Sequence, residues 1–245
     1  MRFKLTLEYD GGPFNGWQRL PDGPSVQGAL EDAVAKLTGG ARSDVIGAGR
    51  TDSGVHALAQ IAHVDIEKPL SADVVRDGLN AHLRPAPISV LHAEEAAPHF
   101  HARFDAVRRA YLYSIINRRA PLAIAHGFAW RVSTPLDVDA MHEAAQRLVG
   151  KHDFTTFRDA NCQAKSPIKT LDQITVTRAG DGVAVRCEAP SFLHRQVRSM
   201  VGTLVEVGLG KMSADDVARI LAAVDRRQCG PVAPSDGLFL TRVDY

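Results

Sequence analysis

Apolar and polar residues alternate from residue 2 to residue 9, and every second residue from Phe3 to Tyr9 is apolar. A period of two places the apolar side chains on one face. This stretch is therefore predicted to be a half-buried β-strand, ended by the Asp-Gly-Gly run at 10–12. From Ser25 onward, apolar residues recur at helical spacing until Gly39 and Gly40. That spacing predicts the first helix.

The first hundred residues continue in an alternating order of strands and helices. Strand-like runs flank residues 47–57, with Val45 and Ile46 before them and rough alternation over residues 60–66 after them. Ser71 can cap a second helix that carries Val75 and Leu79 on one face, and residues 88–91 give another strand. The first half therefore has the β-α-β-β-α-β order of ferredoxin-like folds.

The second half can be interpreted in the same way. Alternation starts at Tyr111, a helix is predicted from about residue 138 to residue 149, and strands around 174–176 and 183–185 form a hairpin. Apolar residues at helical spacing follow over residues 193–205. Ser213 with Asp216 is typical of a capping pair that opens a further helix, and residues 238–242 alternate in a last strand.

These patterns predict an α+β protein. It would consist of two tandem ferredoxin-like β-α-β-β-α-β halves, residues 1–100 and 101–245, with antiparallel sheets and a boundary near residues 96–107. The two halves share a pattern of elements and no obvious sequence identity.

Composition places the chain among ordinary globular proteins. Of its 245 residues, 45% are hydrophobic and 23% are charged, and no apolar run is long enough to span a membrane. The first residues alternate charged and apolar side chains, unlike a signal peptide. Cys162, Cys187 and Cys229 are far apart with no C-x-x-C spacing. Neither a disulfide framework nor a zinc site is indicated, so we expect a cytoplasmic protein without a metal.

The net charge is low for a protein that binds nucleic acid. It is +1, with an isoelectric point near 7.8, whereas a strongly basic balance is typical of such proteins. Basic residues can still gather in one cleft while acids elsewhere neutralise the total. The arginines cluster in two parts of the chain, at Arg103, Arg108, Arg109, Arg118 and Arg119, and at Arg195 and Arg198.

Residues 47–57 combine an arginine, an aspartate and three glycines between two predicted strands. Glycines in such a connection let the backbone approach a ligand closely. In an extended loop Arg50 and Asp52 would project to the same side, and the arginine would keep the carboxylate ionised. An ionised carboxylate suits a nucleophile or a charge stabiliser better than a general acid. A surface salt bridge in a glycine-rich turn would explain the same residues.

The segment 49–57, G-R-T-D-S-G-V-H-A, resembles the signature loop of the TruA-type tRNA pseudouridine synthases. Other segments resemble the family's motifs in the same order across nearly all of the chain. They lie at residues 9–11, 16–18, 25–27, 100–104, 109–113, 152–157, 192–198 and 237–240. The resemblance implies the pseudouridine synthase fold, in which the sheets of the two halves join around a central cleft.

The resemblance also implies an activity, the isomerisation of uridine to pseudouridine at positions 38, 39 and 40 in the anticodon stem-loop of tRNA. Asp52 would be the catalytic aspartate, and no cofactor would be needed. The target base must first be flipped out of its stack. The sequence leaves open whether Asp52 attacks the base or promotes departure of uracil through a glycal-type intermediate.

Four further site residues follow from the resemblance. Arg198 would pair with the catalytic carboxylate, Tyr111 would stack on the flipped base, Arg50 would hold phosphate or enter the space that the base leaves, and Leu238 would line the base pocket. Each also has a plainer interpretation, such as a core aromatic for Tyr111 and a solvent-exposed helix residue for Arg198. Ala110 stands where many members carry a second basic residue, so one phosphate contact could be missing or supplied by Arg108.

Two other classes of protein remain as alternatives. His99 and His101 alternate as metal ligands in a hydrolase would, although no third ligand stands at a suggestive spacing. A non-catalytic RNA-binding protein also suits a ferredoxin-like fold, although the chain lacks the aromatic-rich RNP1 pattern. The resemblance favours the enzyme, with tRNA as its partner, no membrane association, and a homodimer that reaches more of the tRNA than one subunit can.

Overall fold

The computed structural model describes residues 1–40 and 42–245. The chain forms two compact units. The first comprises Met1–Val107 together with Phe239–Tyr245, and the second comprises Arg108–Leu238. In the described part of the chain, none of the helices has both the length and the apolar character that crossing a membrane requires.

The first unit has the predicted β-α-β-β-α-β order. Its elements are β1 (Arg2–Tyr9), α1 (Val26–Thr38), β2 (Ile46–Gly47), β3 (His56–Asp65), α2 (Ala72–Leu83) and β4 (Ile88–Ala96). Strand β1 lies between β4 and β3 and is antiparallel to both, and β2 pairs with the far end of β3. This antiparallel order confirms the α+β fold class.

Local sequence signals fix the helices of the first unit. Ser25 accepts a hydrogen bond from the Gly28 amide at the start of α1, and Gly39 ends the helix in the left-handed region. Ser71 caps α2 in the same manner. The apolar faces of both helices and the odd-numbered residues of β1 are buried and form the core of this unit.

The second unit is larger and less regular. Its elements are β5 (Arg108–Asn117), β6 (Trp130–Val132), α3 (Val138–Gln146), β7 (Gly150–Asp153), β8 (Ile168–Leu171), β9 (Gln173–Ala179), β10 (Gly182–Ala189), α4 (Gln196–Gly208) and α5 (Ala214–Ala222). Strand β10 lies between β5 and β9 and is antiparallel to both, β6 runs parallel to β5, and β7 and β8 form a separate hairpin.

Three features of the second half differ from the sequence pattern. Helix α3 ends at Gln146, before the predicted residue 149, and α4 begins only at Gln196, because Arg195 has a positive φ of 59°. The β7–β8 hairpin has no alternation long enough to reveal it. The last strand, β11 (Leu238–Asp244), is where alternation predicts a strand, but from Phe239 onward it belongs to the first unit and pairs there in parallel with β3. Periodicity could not identify that partner.

Candidate active site

The loop that carries Asp52, residues 48–55, connects β2 to β3 and is held through its backbone. The Trp17 amide donates to the Thr51 carbonyl at 3.0 Å, and the Gly54 amide donates to the Phe14 carbonyl at 3.4 Å. Within the loop, the Val55 amide donates to the Asp52 carbonyl at 3.1 Å. The segment 14–17 therefore fixes the loop on both sides of Asp52.

Gly16 makes this close approach possible. Its φ is +97°, and a Cβ at this position would lie 2.6 Å from the Thr51 carbonyl oxygen. L-residues rarely adopt such a φ, and a contact this short would displace the loop backbone. The glycine of the G-W-Q segment at 16–18 thus has a geometric role beside the Asp52 loop.

Buried polar side chains support the loop from below. The Tyr9 hydroxyl lies 2.9 Å from Thr51 Oγ1, and Gln60 Nε2 donates to the Gly49 carbonyl at 2.8 Å. All three side chains are buried. Burial raises the pKa of Tyr9 to about 12, so its hydroxyl stays protonated near neutral pH. The loop therefore rests on neutral hydrogen-bonding groups.

His56, the first residue of β3, anchors the end of the loop. Its Nδ1 accepts a hydrogen bond from the Gly11 amide at 3.0 Å and lies 3.1 Å from Asp10 Oδ1. The imidazole is buried and stacks on Phe239, with ring centroids 4.7 Å apart. The Asp-Gly run after β1 and the start of β11 thus meet at this histidine.

Asp52 itself is half-buried, and Arg50 is exposed. Although Arg50 is exposed as a whole, partial desolvation of its guanidinium and the nearby positive charge of Arg103 lower its pKa. Arg50 and Arg103 are therefore close enough to repel each other. The loop therefore carries a carboxylate in a positively charged neighbourhood, and the positive charge suits a polyanionic ligand.

Tyr111 lies on β5 in the second unit. It is in register with Cys187 of β10, and its half-buried ring makes an edge-to-face contact with Phe192 at a centroid distance of 5.2 Å. An edge-to-face partner favours one orientation of the tyrosine ring. The aromatic face predicted to hold a base is therefore positioned by a second aromatic residue.

Arg198 lies in the first turn of α4 and is half-buried. Its Nε donates to the Ala233 carbonyl at 2.8 Å, and its own carbonyl accepts from the Ala233 amide at 3.1 Å. One turn later, Gly202 lets the Pro231 carbonyl contact the helix, in a space that any Cβ would occupy. The segment 231–233 thus holds both the backbone and the guanidinium of Arg198.

The start of α4 is also fixed by an ion pair that sequence reasoning missed. Asp159 Oδ2 accepts from Arg195 Nη1 at 3.0 Å, and the Asp159 amide donates to the His194 carbonyl at 3.1 Å. Gln196 Oε1 accepts from the Leu193 amide at 2.8 Å. The arrangement includes a positive φ at Arg195, and an arginine in the sequence does not predict such a backbone conformation.

Leu238, the remaining predicted site residue, is only 6% exposed and follows the 3-10 turn Ser235–Gly237. Nearby, the Tyr113 hydroxyl donates to the Pro234 carbonyl at 2.7 Å. The structure thus assigns Arg50 and Asp52 to one loop of the first unit and Tyr111, Arg198 and Leu238 to the second unit.

The histidines considered as metal ligands have other surroundings. His99 is exposed, whereas the ring of His101 packs on Phe104 at a centroid distance of 4.3 Å. Within residues 1–40 and 42–245, no group of three or more histidine, cysteine or carboxylate side chains is arranged to hold a metal ion. His99 and His101 therefore belong to no larger group of candidate metal ligands among the described residues.

Comparison with known proteins identifies the relatives of this chain. A family model described as tRNA pseudouridine synthase matches residues 6–105 and 144–245. The tRNA pseudouridine synthase A of Maricaulis maris is 62% identical over 244 residues, covering 100% of this chain and 98% of the relative. The protein of the same name from Nitrobacter hamburgensis is 65% identical, covering 100% and 99%. That from Rhodopseudomonas palustris strain HaA2 is 63% identical with the same coverage.

Proposed function

This chain belongs to the tRNA pseudouridine synthase family, and we propose that it isomerises uridine to pseudouridine in the anticodon stem-loop of tRNA. The target positions would be 38, 39 and 40. Family membership supports the isomerisation of tRNA uridines, and full-length identity above 60% to proteins named tRNA pseudouridine synthase A supports this subgroup. The observation that carries the proposal is the loop 48–55, which backbone hydrogen bonds hold in place and in which Asp52 is half-buried.

The isomerisation breaks the bond between uracil N1 and ribose C1′ and forms a bond between C5 and C1′. The proton on C5 is lost and N1 gains one, so the exchange involves no net oxidation. Asp52 would supply the negative charge that the step needs, either by attacking the base or by promoting loss of uracil through a glycal-type intermediate. Its loop is fixed by backbone hydrogen bonds, which keeps the carboxylate in position before substrate arrives.

The residues of the second unit have complementary roles in this proposal. Tyr111 would stack on the flipped base, in an orientation that Phe192 favours. Arg198, fixed by Ala233, would pair with the catalytic carboxylate, and buried Leu238 would line the base pocket. Arg50 would contact phosphate or occupy the space left by the base.

The direct test is incubation with an unmodified tRNA transcript, followed by mapping of pseudouridine at each position. We expect conversion at positions 38–40 in the presence of EDTA and without any added cofactor. Asp52→Asn should abolish conversion while tRNA affinity stays within a few-fold, because the change is nearly isosteric. Asp22→Asn is a matched control at an exposed position and should keep full activity. Conversion by Asp52→Asn at more than a trace rate would refute the assigned role.

Tyr111 can be tested separately through two substitutions. Tyr111→Phe keeps the ring and should change tRNA affinity by less than about 1 kcal/mol, whereas Tyr111→Ala should lose about 1–3 kcal/mol. A lower turnover rate in Tyr111→Phe at unchanged affinity would assign the hydroxyl to proton transfer. Near-parental turnover in both variants would leave Tyr111 as a core residue only.

A cytoplasmic homodimer completes the proposal. A tRNA bound at its anticodon arm extends well beyond a chain of this size, and a second subunit would hold the distal part. Dimerisation would also enlarge the basic surface, which helps a protein whose net charge is only +1. Sedimentation equilibrium at micromolar concentration tests this proposal: a monomer that still modifies tRNA would refute it.

A further inference from the structure

Phe104 lies at the surface of the first unit with 77% of its area exposed. It belongs to the turn at residues 101–105, H-A-R-F-D. Exposure of a phenyl ring to water is unfavourable, but a single exposed phenylalanine needs no explanation by itself. The construction of this turn, however, holds the ring in a defined place.

His101 organises the turn. Its Nδ1 accepts from the amides of Arg103 at 3.2 Å and Phe104 at 3.3 Å, and its own amide donates to Asp105 Oδ2 at 2.7 Å. The Asp105 amide returns a hydrogen bond to the His101 carbonyl at 3.0 Å. The turn is therefore closed by its own side chains and does not depend on a ligand to order it.

Ala102 ties the turn to the core of the unit. This residue is fully buried, its amide donates to His63 Nδ1 at 3.1 Å, and its carbonyl accepts from the Tyr245 hydroxyl at 2.8 Å. Burial, with the charges of Arg2 and His101, lowers the pKa of His63 to about 4. His63 is therefore neutral near pH 7, as an acceptor nitrogen requires. The two sides of the turn are thus anchored to β3 and to the end of the chain.

The ring of Phe104 has two specific neighbours. The His101 ring packs on it at a centroid distance of 4.3 Å with an interplanar angle of 32°, and the Arg103 guanidinium lies 6.0 Å from its centroid. A ring supported on one side and still 77% exposed loses little freedom when a planar group stacks on it. An aromatic face beside a guanidinium is the combination that single-stranded RNA-binding surfaces use.

The turn lies near the Asp52 loop, because the positive charge of Arg103 lowers the pKa of Arg50. A ligand that places negative charge near both guanidinium groups would reduce their mutual repulsion. A phosphodiester group is such a ligand, and Arg binds phosphate through paired hydrogen bonds.

We propose that Phe104 and Arg103 form a second RNA contact beside Arg50, distinct from the pocket for the target uridine. Phe104 stacks on the base of another nucleotide of the tRNA, and Arg103 with Arg50 contacts the backbone phosphate. This inference rests on the proposed function, since it assumes that tRNA reaches the Asp52 loop. The Phe104 contact should accept any of the four bases, because every base offers a π-face.

The test measures the affinity of the full chain for unmodified tRNA by filter binding. Phe104→Leu should weaken binding about tenfold, whereas Phe104→Tyr should stay within about twofold. Phe128→Leu is the matched control, since Phe128 is an exposed phenylalanine of the second unit. The single-turnover rate at subsaturating enzyme should fall in Phe104→Leu in proportion to the loss of affinity. Parental affinity in this variant would overturn the proposal.

Arg103 is tested through the salt dependence of binding. Arg103→Gln should reduce the slope of log affinity against log salt concentration by about one. Arg76→Gln is the control, because Arg76 already pairs with Asp73 and Asp77 on α2. An unchanged slope in Arg103→Gln would show that Arg103 contacts no phosphate.

Three further outcomes separate the failure of this contact from the failure of the proposed function. If Phe104→Leu weakens self-association in sedimentation and leaves tRNA affinity unchanged, the surface is a contact between copies and the RNA contact is refuted. If the parent chain binds tRNA through Phe104 but forms no pseudouridine, the proposed function fails while this contact stands. If the parent chain forms pseudouridine and Phe104→Leu binds normally, only this contact fails.

Discussion

The two regions that carry the candidate catalytic residues are held in place by different forces. The Asp52 loop is fixed by backbone hydrogen bonds from the segment 14–17 and by the neutral side chains of Tyr9 and Gln60. The start of α4, which carries Arg198, is fixed by the ion pair of Asp159 with Arg195 and by close backbone packing around Gly202. One region depends on neutral groups, and the other depends partly on charge.

This difference determines which conditions should disturb each region. Hydrogen bonds between buried neutral groups are little affected by salt or by pH near neutrality. An ion pair with an exposed arginine is screened by salt and is lost when its carboxylate is protonated. We therefore expect acid and salt to loosen the start of α4 first, and alkali to loosen the Asp52 loop first.

The largest expected effect comes from Gly202→Ala in the second unit. The added Cβ would overlap the Pro231 carbonyl oxygen, which is backbone and cannot swing away. We expect a loss of about 3 kcal/mol or more in the free energy of unfolding, measured in urea. Gly78→Ala on α2 is the control, because its Cβ meets only the flexible end of Leu37. Equal stability of the two variants would show that the 231–233 segment yields easily.

Gly16→Ala is the matched change in the first unit. It combines a φ of +97° with a Cβ 2.6 Å from the Thr51 carbonyl, so we expect a loss of about 1–3 kcal/mol and a fall in the single-turnover rate. Gly49→Ala lies in the same loop with nothing within 4 Å of its Cβ and should be tolerated. If Gly49→Ala is as damaging as Gly16→Ala, the loop is sensitive to any substitution and the contact with Thr51 is not the cause.

Asp159→Asn tests the charged region. Burial pushes the pKa of Asp159 up, but the Asn161 amide and the charges of Arg195, His194 and Arg226 outweigh it, so the pKa lies below its ordinary value. Its stabilising contribution is therefore present above about pH 4 and is lost as the pH falls further. The variant should lose about 1–3 kcal/mol at pH 7 and less in acid.

Asp159→Asn also shows whether Asp159 positions Arg198 for catalysis or only stabilises the fold. Because Asp159 fixes the backbone just before α4, its loss should lower the single-turnover rate through Arg198 while tRNA affinity stays within a few-fold. Added salt should reduce the difference in single-turnover rate between the parent and Asp159→Asn, because salt screens the ion pair in the parent. Asp139→Asn, at an exposed position on α3, is a control that leaves this ion pair intact. A change in affinity alone, with a parental rate, would contradict the positioning role.

Much of the fold could be predicted from the sequence because its signals are local. Ser25, Gly39 and Ser71 mark helix ends through backbone hydrogen bonds that need only neighbouring residues, and the alternation of β1 reports a face buried in the core. The partner of β11 could not be predicted, because pairing of Phe239 with His56 joins residues far apart in the chain.

The candidate site shows the same limit. Residues 49–57 stand out by composition, and resemblance to a family points to Asp52, Tyr111 and Arg198. Their supports do not stand out: Gln60 lies in an ordinary strand, and Asp159 lies in a loop with no motif. These residues act through contacts over long sequence separations, and periodicity carries no information about such contacts.

The smallest expected effect comes from Tyr9→Phe, which removes one buried hydroxyl below the Asp52 loop. Thr51 Oγ1 loses a partner at 2.9 Å, which should cost about 1 kcal/mol at pH 7. The pKa of Tyr9 is raised to about 12, so its stabilising contribution is complete below about pH 10 and is lost as the pH rises toward 12. Across that interval the free energy of unfolding of the parent should therefore fall by about 2–3 kcal/mol more than that of the variant.

Tyr113→Phe is the control for this prediction. It should also reduce alkaline sensitivity, because burial raises the pKa of Tyr113, but it should leave the Asp52 loop intact. Hydrogen exchange at the Val55 amide distinguishes the two variants: if its protection falls between pH 10 and pH 12 in the parent and in Tyr113→Phe but not in Tyr9→Phe, alkaline loosening of this loop is due to Tyr9, and the same fall in all three proteins would refute this assignment.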